Sequence, residues 1–451
     1  MPSLPRASSR SGRVGVRWFA PFTLAWVALW TVQLTPLQLL IPLQLNTPGD
    51  ADGWIRGVVQ SGLVLGVGGL AGIVAGPLAG ALSDRTRSRL GRRRPWALAG
   101  TALATGSLAA LALAAGPLAV GGAWVGVMVG CAVASSAFTA LIADQLTGQR
   151  GAASAAVGSA QAVGIVLGVG VVVVSGVGLL GGYLLLAGLM AVGGTFGALM
   201  LPDPRPDEPA RRSAPAALSV TSDVLGDRNF VQMLLGRLAG NLGNALGTGL
   251  LLFFLMFGIG QPPADAEDNL LLLIVVYTVF VVTASVIGGL VSDRTGRRKS
   301  MVVVSALVQA VAAMIIAVAP TLPVTLVAAA LIGVGDGIFN AGGLALATDL
   351  LPGDDANAQD LGLVNVSANL GQLLGPVVGA GLIAAVGGFW LLFAAAAVFS
   401  ALGAALTATV RVPAPRTPAL TRSSGRSRTP CTARLSARPR ASADEVAGGP
   451  T

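Results

Sequence analysis

Histidine is absent from this 451-residue chain, and cysteine occurs only at Cys131 and Cys431. Without histidine or clustered cysteines the usual ligand sets for zinc, haem and iron–sulfur centres are missing, and a Ser-His-Asp triad cannot be assembled. Two cysteines are also too few for a disulfide framework. Charge is scarce: 11% of residues are charged, where a soluble domain carries about a quarter. Lysine is all but missing, so the formal charge of +9 is arginine. What remains is apolar. A content of 53% hydrophobic residues, 62 glycines and a mean hydropathy of +0.76 gives more apolar surface than a water-soluble globule can hide. Lipid is the expected solvent, a soluble enzyme is excluded, and neither metal nor organic cofactor is expected.

A hydrocarbon layer takes roughly 20 helical residues per crossing. Arg6, Arg10, Arg13 and Arg17 precede an apolar run and imitate a secretory signal, but the run from Trp18 to Leu45 is too long and ends without a small-residue cleavage site. It is expected to stay as helix 1. Helix 2 follows over Gly57–Leu82, and the uncharged block Pro95–Leu141 holds helices 3 and 4. The block Gly151–Pro202 splits into helices 5 and 6 near Gly181 and Gly182. Helix 7 spans Phe230–Phe257 and helix 8 Leu270–Val291; helices 9 and 10 divide at Pro320 and Pro323, helices 11 and 12 at Gly387 and Gly388. The total is twelve crossings, all α-helical.

Charge tests the parity, because arginine collects on the cytoplasmic side. The loop after helix 2 holds Arg85, Arg87, Arg89, Arg92, Arg93 and Arg94, and that after helix 8 holds Arg294, Arg297, Arg298 and Lys299, whereas the alternate loops carry acids such as Asp50, Asp52, Asp265, Glu267 and Asp268. Both termini are therefore expected in the cytoplasm. The arginines lie between apolar stretches rather than on a folded basic face, which argues against nucleic acid as a partner. The expected organisation is a tail at 1–17, a six-helix bundle at 18–201, a central loop at 202–228, a second bundle at 229–410 and an Arg-, Ser- and Pro-rich disordered tail at 411–451.

The two bundles repeat each other. Gly80, Asp84 and Arg85, then Gly91, Arg92 and Arg93 after a four-residue insertion, match Gly289, Asp293, Arg294, Gly296, Arg297 and Arg298. Asp84 to Asp293 is an offset of 209, and past the insertion Gly91 to Gly296 is 205. The same 205 relates Asp144, ending helix 4, to Asp349, ending helix 10.

Twelve crossings, a duplication and a Gly-x-x-x-Asp-Arg-x-Gly-Arg-Arg loop in both halves resemble the major facilitator superfamily of secondary transporters, over roughly residues 18 to 410. The longer loop from Ser83 to Trp96 is similar to that of sucrose and glycoside symporters. The resemblance implies rocking of two bundles about a central site, with no catalysis, and a gate role for these loop residues in one state of alternating access. Read from the residues alone, the loops also fit a topogenic charge cluster. Helix 4 lacks the arginine, and helix 5 the Gly-Pro pair, that the family's drug–proton antiporters carry; Gly375 and Pro376 lie in helix 11 instead. No P-loop spacing accompanies the loop arginines, so an ATP-driven pump is unsupported.

Two ionisable residues fall well inside the membrane, Arg237 on helix 7 and Asp336 on helix 10. Asp336 aligns with Cys131 at the 205 offset, so it is not repeated scaffold. It is the candidate coupling group for a proton, or for sodium, with Arg237 as its partner or as a solute ligand; a static ion pair is the competing reading. Amides recur on helical faces: Arg237, Asn241, Asn244 and Thr248 on helix 7, Asn340 beside Asp336, and Asn365, Asn369 and Gln372 on helix 11. Gln33 and Gln38 on helix 1, Gln161 on helix 5 and Tyr277 on helix 8 complete the candidate solute ligands, each of which could equally bond a neighbouring helix. Trp26, Trp30 and Trp54 fit sugar stacking or interfacial anchoring. Amides suit a neutral, hydroxylated ligand, because each donates and accepts. The expectation is a monomeric plasma-membrane symporter, proton-coupled, importing a sugar or glycoside. An exporter of drug-like compounds and a non-transporting receptor or scaffold remain the alternatives.

Overall fold

The computed structural model describes residues 14–46, 53–146, 149–203, 228–350 and 358–411. The expected tails and central loop therefore lie almost wholly outside the described residues, as do the side chains of Asp293, Asp349 and Asn365. Twelve helices are long and apolar enough to cross a membrane. In order they are α1 Val16–Leu45, α2 Gly53–Arg85, α3 Arg94–Leu113, α4 Gly116–Gln145, α5 Arg150–Ser175 and α6 Gly178–Met200, then α7 Arg228–Gly258, α8 Pro263–Thr295, α9 Arg298–Val318, α10 Leu322–Leu350, α11 Ala358–Val386 and α12 Trp390–Thr409. No strand occurs among the described residues. Lipid offers backbone N–H and C=O groups no partner, and a helix satisfies them within one segment.

One boundary differs from the sequence expectation. The chain turns between α5 and α6 at Gly176 and Gly178, with φ of +60° and +66°, and Gly181 and Gly182 lie inside α6. Left-handed backbone favours glycine, and these two glycines adopt it. Helices α2 and α8 are 33 residues each, about 50 Å, so they outrun the bilayer and carry the arginine loops beyond its edge. Hereafter this edge is the arginine face.

The duplication reappears in the packing. In the first half α1 packs on α5 and α6, α2 on α4, and α3 on α4 and α6. Adding six to each number gives the second half: α7 on α11 and α12, α8 on α10, and α9 on α10 and α12. Two pairings join the halves, α2 with α11 and α5 with α8, and the pseudo-twofold exchanges them. The first helix of each half also carries one π-helical turn near its outer end, Pro36–Leu40 in α1 and Phe254–Gly258 in α7.

Polar ties fix the first half at both ends. At the outer end Gln44 Nε2 donates to the carbonyls of Leu111 (3.0 Å) and Ala114 (2.9 Å), and the Tyr183 hydroxyl donates to Gln44 Oε1 at 2.7 Å. The Leu111 carbonyl, which also accepts the Ala114 N–H, and the Ala114 carbonyl just past α3 thereby gain a side-chain donor. At the arginine face α3 and α6 cap each other. Asp203, just past α6, accepts the backbone N–H of Arg93 and of Arg94, each at 2.8 Å, while the Arg94 guanidinium donates to the carbonyls of Ala198, Leu199 and Leu201. Anion meets helix start and cation meets helix end, as the helix dipoles require. Gly91, at φ +107°, leaves the space that the Asp203 carboxylate occupies. Replacing Asp203→Ala is expected to lower stability in detergent by about 1 kcal/mol. Thermal unfolding checks this, with Asp203→Asn retaining part of the cap.

Candidate functional site

A cavity of about 640 Å³ lies between the halves, bounded by α1, α5, α7, α8, α9, α10 and α11. It brings together nine of the residues singled out above: Gln38, Gln161, Asn241, Asn244, Thr248, Tyr277, Asp336, Asn340 and Gln372. Beside these groups, largely on the same helices α8 and α10, lie apolar residues that include Leu273, Ile274, Val281, Val282, Ile316 and Ile332. The site is therefore amphipathic, wide enough for a disaccharide-sized solute, and drug-sized ligands sit in cavities of roughly 300–1,000 Å³.

Asp336 is its chemical centre. The Tyr277 hydroxyl donates to Asp336 Oδ2 at 2.8 Å and Asn340 Nδ2 to the same oxygen at 3.2 Å. Both donors are neutral. Among the described residues no cation pairs with this carboxylate. Asn244, on the facing helix, keeps a buried Nδ2 without a partner, as does the Thr278 hydroxyl beside Tyr277. Buried donors without partners are costly in a protein interior, and a solute hydroxyl or carbonyl would satisfy them.

Three candidates are not brought in. Gln33 donates back to the Leu29 carbonyl of its own helix at 3.3 Å and does not line the cavity, whereas Gln38, on the π-helical turn, does. Arg237 lies over the Phe339 ring, 5.0 Å from its centroid, with Nε and Nη1 buried and unpartnered, and it forms no ion pair with Asp336. The amides at 241 and 244 continue its helical stripe into the cavity, but the guanidinium is drawn aside by the aromatic face. Asn369 is exposed, and of the described residues of its stripe Gln372 lines the cavity. Residues that sequence reasoning passed over are hydroxyls, namely Ser159, Thr278, Ser285 and Thr325. Single hydroxyls in apolar helices give no periodic signal.

The gate loop of the first half is a closed charge cluster. Asp84 pairs with Arg93 at 2.6 Å and Arg92 at 3.2 Å, Asp144 with Arg93 at 3.1 Å and Arg92 at 3.8 Å, and Arg93 also donates to Ser83 Oγ at 2.9 Å. Among the described residues every partner belongs to α2, to the loop before α3 or to α4. The side chains at the start of α11, which this loop would meet across the halves, lie outside the described residues. Gly80 has a packing reason, a Cβ there lying 3.1 Å from Ser136 Oγ, whereas a Cβ on Gly289 would meet nothing within 4 Å.

The described side-chain contacts between the halves lie away from the arginine face. Trp54, at the start of α2, is stacked between Phe257 of α7 (5.3 Å, 20°) and Phe389 before α12 (5.6 Å, 22°). Below this sandwich a glycine stripe on α2 runs against α11. A Cβ on Gly62 would lie 2.6 Å from Ala380 Cβ, Gly66 abuts Val377, and a Cβ on Gly69 would lie 2.5 Å from a Leu373 methyl. Further along, among the described residues, Gly72 faces Met128 of its own half and a Cβ on Gly76 would meet nothing within 4 Å. Gly170 of α5 faces Leu271 of α8 at the same outer level. The cavity is thus sealed on the outer side, while its walls continue along Ala155 and Gly158 of α5 and Val286 of α8 toward the arginine face.

A twelve-helix fold in two repeated halves around a central amphipathic cavity, sealed at one end, defines a membrane transporter. The sequence matches the Major Facilitator Superfamily over residues 4–169, 58–266 and 264–443, and the chain belongs to this family. No curated protein matches it. Among solved structures the nucleoside transporter NupG, in a point-mutant form, is similar at 16% identity with a TM-score of 0.67, covering 87% of this chain and 99% of that one. A bacterial homologue of the human lysosomal transporter Spinster, in an inward-facing and occupied conformation, is similar at 15% identity and a TM-score of 0.66, covering 86% of this chain and 95% of that one. These likenesses are of fold.

Two stacked pairs contribute about 1–3 kcal/mol together, so Trp54→Ala is expected to shift the balance toward outer opening by roughly 5- to 150-fold. A single cysteine at Leu34, with Cys131 and Cys431 replaced by serine, should then label faster with an impermeant thiol reagent added at the outer face. An unchanged labelling rate would assign the closure to the glycine stripe alone.

Proposed function

We propose that this transporter carries a small neutral solute with both hydroxyls and an apolar face, a glycoside rather than a free sugar, into the cell with protons. The observation that carries the reading is Asp336: a carboxylate at membrane depth, lining the cavity, held by Tyr277 and Asn340 and paired with no cation among the described residues. A proton is the smallest cation able to neutralise it there. The amides Gln38, Gln161, Asn241, Asn244 and Gln372 supply paired donors and acceptors for hydroxyls, and the α8 and α10 wall supplies apolar contact. Asp336 would bind its proton and the solute in one state, and rocking would carry both. The arginine face is then cytoplasmic, both termini lie on that side, the membrane is the plasma membrane and the working unit is a monomer. The likeness of the loop from Ser83 to Trp96 to that of sucrose and glycoside symporters supports the solute class.

The apolar wall also favours a second reading, proton-driven export of an amphipathic compound. Both are tested in liposomes holding purified protein, by uptake of labelled sucrose and of aryl glucosides with and without an inward proton gradient. Gradient-driven uptake that Asp336→Asn abolishes is the expected result. No glycoside uptake under either condition would overturn the import reading and leave export.

A further inference from the structure

Asp336 borders a second cavity, on the side of α9 and α12. Its volume is about 10 Å³, close to the space one water molecule requires. Its polar walls are Asn241, Asn244, Gln309, Asp336 and Thr407. Asn241, Asn244 and Asp336 also line the large cavity, so these three side chains form the partition between the two spaces.

The small chamber is polar beyond what its protein partners satisfy. Gln309 and Thr407 are 6% and 4% exposed, and neither side chain bonds a described residue. Asn241 Nδ2 is engaged by the Arg237 carbonyl at 2.8 Å, which leaves its Oδ1 unpartnered, and Asn244 Nδ2 is buried without an acceptor. Glycine makes the room: Gly236, Gly240 and Gly403 complete the wall, and a Cβ on Gly236 would lie 2.8 Å from Thr407 Oγ1. The polarity of the walls matches a water molecule. The Asp336 carboxylate and Asn241 Oδ1 accept, while Asn244 Nδ2 and the Gln309 amide donate, and water offers two of each. A metal cation would have the Asn244 donor set against it.

We propose that this chamber is a one-water site, and that Gln309 and Thr407 hold its water against Asp336 as positioning residues for proton transfer on the side away from the solute. The inference rests on Asp336 being the proton-coupling group. Its consequence is that a solute filling the large cavity displaces water from one side of the carboxylate only. The proton keeps a partner on the other side. Among the described residues of α7, α8, α9 and α12, Arg237 and Tyr277 are the charged or titratable groups at membrane depth; Tyr277 bonds Asp336, whereas Arg237 lies over Phe339.

The test uses the full chain in lipid and infrared difference spectra recorded on a pH jump, which need no solute. The band of the protonated carboxyl that Asp336→Asn removes is assigned to Asp336. Thr407→Val, nearly isosteric, and Gln309→Leu should shift this band to higher frequency, as a carboxyl losing a hydrogen bond does. Both should also lose a water band that moves in H₂¹⁸O, and Thr407→Ser should restore the two signals. Wild-type bands in both Thr407→Val and Gln309→Leu would overturn the proposal, as would a band that responds to sodium but not potassium, the mark of a cation in the chamber. If no band that responds to pH disappears in Asp336→Asn, the proton-coupling reading itself fails, and this inference falls with it.

Discussion

Hydrocarbon can solvate neither a backbone amide nor a carboxylate, and this constraint organises the molecule. It forces every crossing into a helix, and it leaves polar side chains only helix-to-helix contacts and the space between the halves. Gln44 and Tyr183 illustrate the first option, tying α1, α3 and α6 at one end. Asp336 and the amides around it illustrate the second. The cavity exists because its lining can exist nowhere else at that depth.

Two kinds of contact divide the mechanical work. Ion pairs and caps at the arginine face, from Asp84, Asp144, Arg92, Arg93, Arg94 and Asp203, lie within one half and keep it a single body. Among the described residues, contacts between the halves are of another type, glycine against alkyl groups and ring against ring. Van der Waals surfaces separate without stranding a charge, so the interface that must open is built from groups that lose little specific bonding when it does.

Much of this was legible in the sequence, and the losses have physical causes. Length and arginine parity disclosed the twelve helices, and the repeated loop disclosed the duplication, because lipid thickness and membrane topology act on local sequence. Asp336 stood out because a carboxylate in an apolar run is costly to hold at membrane depth. Helical phase relates neighbours along one helix but not their direction in space, which is why Asn241 and Asn244 line the cavity while Arg237 of the same stripe turns to Phe339. Contacts between distant residues left no trace at all. Asp203 caps Arg93 and Arg94 across some 110 positions, and Trp54 finds rings more than 200 residues away.

The cavity's polar lining is unevenly shared. Asn241, Asn244, Tyr277, Asp336, Asn340 and Gln372 come from the second half, and only Gln38 and Gln161 among the amides come from the first. The repeat began as two equal copies, and the thiol of Cys131 now stands where the second copy has Asp336. On the proposed reading a change of cargo would fall chiefly on the second half, while the first half has to keep the α2 glycines and Trp54 that pack across the interface.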